Sequence, residues 1–360
     1  MNRRDFTKLS AFALAATGVA RGSAMSAQRP VRYAVVGLGS ISNIFLQACA
    51  KSTNSRVTAL VTGHPADKGE ALAQQYGIPA SSIYTYETFD RIRDNKEVDA
   101  VYIGLPNSMH CEYTLRAAAA GKHVLCEKPM AISSDECQIM IDACRKAHVK
   151  LMIAYRIHFE PLWNKAIKMI HAGAIGTLQS FHGGFYNQQR AGMWRLNRAL
   201  AGGGPLLDLG IYPLNAIRHI TGEEPSDLTA VVATRDQSGA FSQVEQSMEW
   251  TMKMPSGILA SCGCSYEQSG PGYLQIHGDT GYLELLPGFN YDGLRLHDNN
   301  VRDPLDLAST GRNPYQFTLE ADYFSDCIRN DRQPGPDGEE GRQDMLAIEA
   351  IYRAAGAPIA

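Results

Sequence analysis

Three observations predict the fold class. Over residues 31–154, short β-rich runs alternate with segments of helical period, the pattern of a parallel sheet joined by crossover helices. A Gly-x-Gly turn follows the first of these runs directly, at the place where a doubly wound sheet receives a dinucleotide. Beyond residue 155, two helical segments lead into alternating runs over 226–300 separated by Gly, Pro, Asp and Asn, which read as an open, mainly antiparallel sheet. The expectation is an α/β protein, with an N-terminal Rossmann domain over 31–154 and a C-terminal α+β domain over 155–360.

Taken in order, the strands of the first domain are expected at 31–36, 56–61, 99–103, 123–126 and 151–154. The helices between them fall at 67–76, 110–120 and 133–147, the last with Ser133 and Ser134 as capping hydroxyls and Glu136 close behind, the arrangement of a capped N-terminus. In the second domain, 161–172 and 205–220 read as helices and 244–254, 258–266, 273–278 and 281–286 as strands. Helices at 315–328 and 343–354, joined by the Pro-Gly-rich loop 334–338, close the chain. The exposed face of the sheet over 226–300, read as rich in apolar residues, is expected to pair two copies into a homodimer.

Composition narrows the function. The chain has 360 residues, 44% of them hydrophobic, and its 34 Lys+Arg against 37 Asp+Glu leave a net charge of -3 with no long block of one sign. Nucleic acid and a membrane surface are therefore not expected partners, and no internal apolar run approaches the roughly 20 residues of a membrane span. Residues 1–27 differ: Arg3-Arg4-Asp5-Phe6-Thr7-Lys8 precedes a weak Ala-rich apolar stretch and small residues up to Ala27. This looks like a twin-arginine signal, which sends already folded proteins to the periplasm. The eight cysteines include no Cys-x-x-Cys pair; they read as free core thiols, and Cys262-Gly-Cys264 supplies too few ligands for zinc, so no metal is expected.

The chemistry is carried by a few motifs. Gly37-Leu38-Gly39-Ser40-Ile41-Ser42 gives G-x-G-x-x-S between a strand and a helix, with the glycines admitting a pyrophosphate to the helix N-terminus. The second strand ends in Val61-Thr62-Gly63-His64 with Lys68 following. No carboxylate stands there to repel a 2'-phosphate, while Thr62 can donate a hydrogen bond and Lys68 a charge, which favours NADP over NAD. Glu127-Lys128-Pro129 follows the strand at 123–126, at the carboxyl edge where such sheets bind ligands. Asp208 and Tyr212, spaced i, i+4 after Gly202-Gly203-Gly204-Pro205, project from one helix face. A carboxylate and a phenol beside a lysine form a set able to move the proton of a C–OH to C=O reaction.

These residues together resemble a known family. Gly-Leu-Gly-Ser, Leu105-Pro-Asn107-Ser-x-His110, Cys126-Glu-Lys-Pro129, Tyr155-Arg156, Trp194-Arg195 and Gly203-Gly-x-Leu-x-Asp208-x-Gly-Ile-Tyr212 are similar, in order, to the motifs of the Gfo/Idh/MocA family. The resemblance covers 31 to the end and points to the glucose-fructose and aldose-aldose oxidoreductase subgroup, because Tyr212 stands where the wider family usually has His. It implies that Tyr212 is the general acid/base, that Lys128 binds the sugar hydroxyl, and that Asp208 orients the sugar. It also implies cofactor contacts from Arg156, Trp194 and Arg195, from Leu105, Asn107 and His110, from Glu127, and from Tyr86 and Tyr291. The implied activity is oxidation of an aldose at C1 to a lactone by tightly bound NADP, which then reduces a second sugar.

Overall fold

The computed structural model describes residues 29–235, 239–299 and 305–357; the leader expected over 1–27 lies outside them. The first sheet holds β1 (Val31–Val36), β2 (Ser55–Val61), β3 (Ile83–Tyr84), β4 (Ala100–Ile103), β5 (His123–Glu127) and β6 (Leu151–Ala154). All pair in parallel, in the order β3-β2-β1-β4-β5-β6. The connections carry α1 (Ser40–Lys51), α2 (Glu70–Tyr76), α3 (His110–Ala119) and α4 (Ser134–Lys146). Ser133 caps α4 as expected, its hydroxyl accepting the Glu136 N–H. The order reverses between β1 and β4, and the crevice outside that switch point is where ligands of open α/β sheets bind.

The rest of the chain runs α5 (Pro161–His171), β7 (Leu178–Tyr186), α6 (Arg198–Ala201), α7 (Ile211–Thr221), β8 (Asp227–Ala233), β9 (Ser247–Lys253) and β10 (Leu259–Ser265). It continues with β11 (Tyr273–Gly278), β12 (Tyr282–Leu285), β13 (Arg295–Asp298), β14 (Asp306–Ala308), α8 (Tyr315–Arg329) and α9 (Gly338–Ala354). The strands form a second sheet in the order β14-β13-β12-β11-β7-β10-β9-β8, antiparallel except for the β7–β10 pair. This is the mainly antiparallel sheet expected, with β7 added at its centre.

Four details differ from the sequence reading. The 205–220 helix is preceded by a wider π-helical turn, Leu206–Gly210, so α proper starts at Ile211. The closing helix starts at Gly338, because the Asp337 carboxylate caps it by accepting the N–H groups of Glu339 and Glu340. Helix α8 returns to the first sheet, burying Ala321, Phe324 and Cys327 against Tyr33 and Tyr102; Tyr33 Oη lies 2.9 Å from Ser325 Oγ. The outer face of the second sheet is polar rather than apolar. Along β9, Met248, Trp250 and Met252 point inward while Glu249, Thr251 and Lys253 point out, and the large exposed apolar residues of this sheet are Val231 and Leu259. Strand alternation sends the apolar set to one side, so the described residues do not form the expected apolar docking face.

The close approach of α1 to β4 explains the serine at the third position of the glycine motif. A Cβ on Gly104 would fall on Ser42 Oγ and lie 3.1 Å from the Tyr102 ring. Ser42 is fully buried and fits only because Gly104 has no side chain. Gly104→Ala is expected to destabilise the protein by about 1–3 kcal/mol through overpacking, measured as a lower denaturant midpoint with unchanged slope; an unchanged midpoint would contradict this packing.

Candidate active site

The carboxyl ends of β1, β4, β5 and β6 face a cavity of about 1050 Å³ whose other walls come from the loops after β7 and β10, the Asp208 turn and the segment before α8. At its dinucleotide end, Gly37 has a left-handed φ of 79°, and a Cβ there would sit 2.7 Å from the Gly104 carbonyl. Gly39 faces open space. It starts α1, which has no side-chain cap and no acidic residue in its first turn, so its free N–H groups and dipole are left for an anion. Ser40 and Ile41 line the cavity at this point. These features fit a pyrophosphate.

The expected 2'-phosphate residues lie outside the lining of that cavity, at the loop after β2. Lys68 is exposed, and its ammonium has no partner among the described residues. Thr62 is 2% exposed and its hydroxyl accepts the His64 N–H at 3.1 Å, so it shapes the loop as well as offering a proton. The Tyr86 ring lies against Gly63, 3.3 Å from where a Cβ would stand.

At the reacting end the structure brings together Lys128, Asp208 and Tyr212. Lys128 Nζ donates to the Asp208 carbonyl at 2.6 Å and to Asp208 Oδ1 at 3.3 Å, and lies 4.7 Å from the Tyr212 ring centre. On the other side, Arg156 Nε donates to Tyr212 Oη at 3.2 Å, with its guanidinium 4.8 Å from the same ring and 4.7 Å from that of Tyr291. Phe185 and Phe289 hold the Tyr212 ring at centroid distances of 5.2 and 5.8 Å. Two cations flanking a phenol stabilise the negative charge that develops on its oxygen when a proton is exchanged.

Asp208 takes two further partners. Arg195 Nε contacts Oδ2 at 2.9 Å and Tyr266 Oη donates to it at 3.2 Å. Arg195, expected to hold the cofactor, lines the cavity and pairs with the Asp208 carboxylate, with its guanidinium 4.7 Å from the Trp194 ring. Burial alone would raise the Asp208 carboxyl, but Arg195 and Lys128 outweigh it and hold it below the usual carboxylate value. Tyr266 was not anticipated: it directly follows β10, a strand expected over 258–266 and found over Leu259–Ser265, and its partner lies 58 residues away.

The loops around this cluster are braced from behind. His110 is buried with its ring nitrogens 2.9 Å from the carbonyls of Leu105 and Pro129, tying the loop after β4 to that after β5. Asn107 Nδ2 donates to the Ala201 carbonyl at 2.8 Å. Both also border the cavity, with Leu105 and Trp194. Glu127 borders it too, accepting from Tyr102 Oη at 2.6 Å, and burial raises its carboxyl above the usual value. Among the described residues, no group of His, Cys, Asp and Glu is arranged to hold a metal ion.

The Asp208 cluster makes a prediction with a definite sign. Because folding lowers this carboxyl, its contribution to stability is complete above the ordinary carboxylate value and is lost as pH falls through the depressed one. Asp208→Asn should therefore cost roughly 1–3 kcal/mol at neutral pH, with the gap to the parent closing below about pH 4. Unfolding curves that stay equally far apart in acid would contradict it.

Comparison with known proteins agrees with the fold. Residues 31–155 match the model of the oxidoreductase family with an NAD-binding Rossmann fold, and residues 163–284 match the GFO/IDH/MocA C-terminal domain. The crystal structure of aldose-aldose oxidoreductase from Caulobacter crescentus is 42% identical, superposes with a TM-score of 0.87, and the match covers 91% of this chain and 98% of that one. D-xylose 1-dehydrogenase [NADP(+)] of Haloarcula marismortui is 28% identical over 334 residues, 90% of this chain and 91% of that enzyme. The 1,5-anhydro-D-fructose reductase of Ensifer adhaerens is 27% identical over 336 residues, 90% and 96% of the two chains. With both family models matched in order around a Lys128–Asp208–Tyr212 cluster, this chain belongs to the Gfo/Idh/MocA family of oxidoreductases.

Proposed function

We propose that the protein is a sugar oxidoreductase that uses tightly bound NADP to oxidise an aldose at C1 to a lactone and then reduce a second sugar to an alditol. The observation that carries this reading is the meeting of Lys128, Asp208 and Tyr212 at the carboxyl edge of the first sheet, in the same cavity as the uncapped N-terminus of α1. The Caulobacter crescentus relative is named for the two-aldose reaction, and the Haloarcula marismortui relative for NADP and a sugar. When bound, NADP supplies the hydride acceptor in the first half and the hydride donor in the second.

The chain's own groups do the remaining work. The Tyr212 oxygen takes the proton of the C1 hydroxyl as hydride leaves C1, and returns it to the oxygen of the second sugar's carbonyl as hydride arrives. Lys128 binds the same hydroxyl and, with Arg156, stabilises charge on the phenol oxygen. Asp208, fixed by Arg195 and Tyr266, orients the sugar. Gly37, Gly39, Ser40 and Ile41 would hold the pyrophosphate, and Thr62 and Lys68 the 2'-phosphate, with Tyr86 beside them. We place the protein in the periplasm on the strength of the paired arginines at 3 and 4, and as a homodimer.

A conventional dehydrogenase that exchanges free NADP is the second reading, supported by the names of the relatives from Haloarcula marismortui and Ensifer adhaerens. The two separate cleanly. The dialysed protein, given aldoses and no cofactor, is expected to form aldonate and alditol in equal amounts; products that appear only with added NADP would establish the second reading instead. Tyr212→Phe is expected to lower turnover about 10²–10⁴-fold while leaving nicotinamide content unchanged, and near-normal turnover would remove Tyr212 from its role.

A further inference from the structure

One buried acid has no part in the site described so far. Glu320, on α8 one turn beyond Gln316, is fully buried, and neither of its carboxyl oxygens has a hydrogen-bond partner among the described residues. An ionised carboxylate with nothing to solvate it is far more costly in an interior than a neutral acid. Three titratable groups bear on it: Glu127 at the end of β5, Arg156 after β6, and Tyr102 on β4. Glu127 is itself buried, with the Tyr102 hydroxyl on Oε1.

Arg156 is 3% exposed, yet the hydrogen bonds of its guanidinium all go to neutral oxygens: the carbonyls of Phe289 and Asn290, Gln316 Oε1 and Tyr212 Oη. Lys128 acts on Glu127 but is itself paired with Asp208, so the one cation bearing on Glu320 among the described residues is Arg156, and an ionised Glu320 would be a buried charge with no hydrogen bond of its own. One proton on the pair makes the three groups neutral as a set. A charged Glu320 would also compete for Arg156 and draw it from the Tyr212 oxygen.

We propose that Glu127 and Glu320 hold one proton between them, with Glu320 the neutral member. The pair balances the charge of Arg156 without contacting it. Glu320 is therefore a positioning residue: it keeps Arg156 Nε on Tyr212. The second part rests on the reading of Tyr212 as the acid/base; the first does not. Burial first, and then the Glu127 charge, raise the Glu320 carboxyl well above its usual value, against the opposing pull of Arg156, in the same direction as the geometry.

Infrared difference spectra of the full-length protein test the proton, with no sugar present. At about pH 7 the parent should show the carbonyl band of a protonated buried acid, absent from Glu320→Gln. In Glu127→Gln that band should titrate away at a lower pH, because a negative neighbour has gone. No such band at neutral pH would overturn the proposal, whatever the protein's reaction. The positioning role is tested by the Arg156 Nε–H resonance and by kinetics. Glu320→Ala should shift the resonance and lower kcat about tenfold or more with KM little changed, and Glu320→Gln, a neutral group of the same size, should restore both. If Gln is as damaging as Ala, the side chain is needed as an anion and the proposal fails.

Discussion

One carboxylate, Asp208, holds the two halves of the site together. It takes Lys128 from the end of β5, Arg195 from the loop after β7 and Tyr266 from the end of β10, so a single side chain links the parallel sheet to the antiparallel one. The group is largely buried, and removing one member of such a cluster leaves the others unpaired in an interior that does not solvate charge. The wider turn Leu206–Gly210 ahead of α7 sets the carboxylate where all three partners reach it. The three buried leucines and the buried glycine of that turn anchor it in the core, so the charge cluster inherits the rigidity of the packing around it.

Given a fixed Asp208, the phenol of Tyr212 has little freedom. Its ring is enclosed by Phe185 and Phe289 on its apolar side and by Lys128 and Arg156 on its cationic side. Preorganised charge of this kind costs no rearrangement when a proton moves, which is the condition for efficient acid/base catalysis. Arg156 can serve the phenol because its other hydrogen bonds end on Phe289, Asn290 and Gln316 rather than on an acid.

Local patterns in the sequence carried the parallel sheet well, because apolar runs of strand length and helix-period segments are properties of neighbouring residues. The glycine turn and the capping serine at 133 were legible for the same reason. Strand β7 was not. Its centre reads His182-Gly183-Gly184, and glycine there weakens the strand signal; yet a Cβ on Gly183 would sit 2.7 Å from Leu274 and 3.2 Å from Pro213, so the glycine is what lets α7 lie close on the sheet. The i, i+4 spacing of Asp208 and Tyr212 led to the right cavity through the wrong helical geometry. The pairing of Arg195 with Asp208 and the part of Tyr266 were not foreseen, because contacts made by the tertiary fold, across 58 residues for Tyr266 and Asp208, leave no periodic trace. The polarity of the outer sheet face was misread because composition was counted over strands whose apolar members, Val231 and Leu259 apart, mostly face inward.

The account of function turns on whether one hydride passes between two sugars without leaving the protein. An aldose deuterated at C1, supplied together with a second unlabelled sugar and an excess of unlabelled free NADPH, follows that hydride directly. The account predicts that the alditol formed carries the deuterium and that the free nicotinamide pool stays unlabelled. Deuterium in the free NADPH, with an unlabelled alditol, would contradict it.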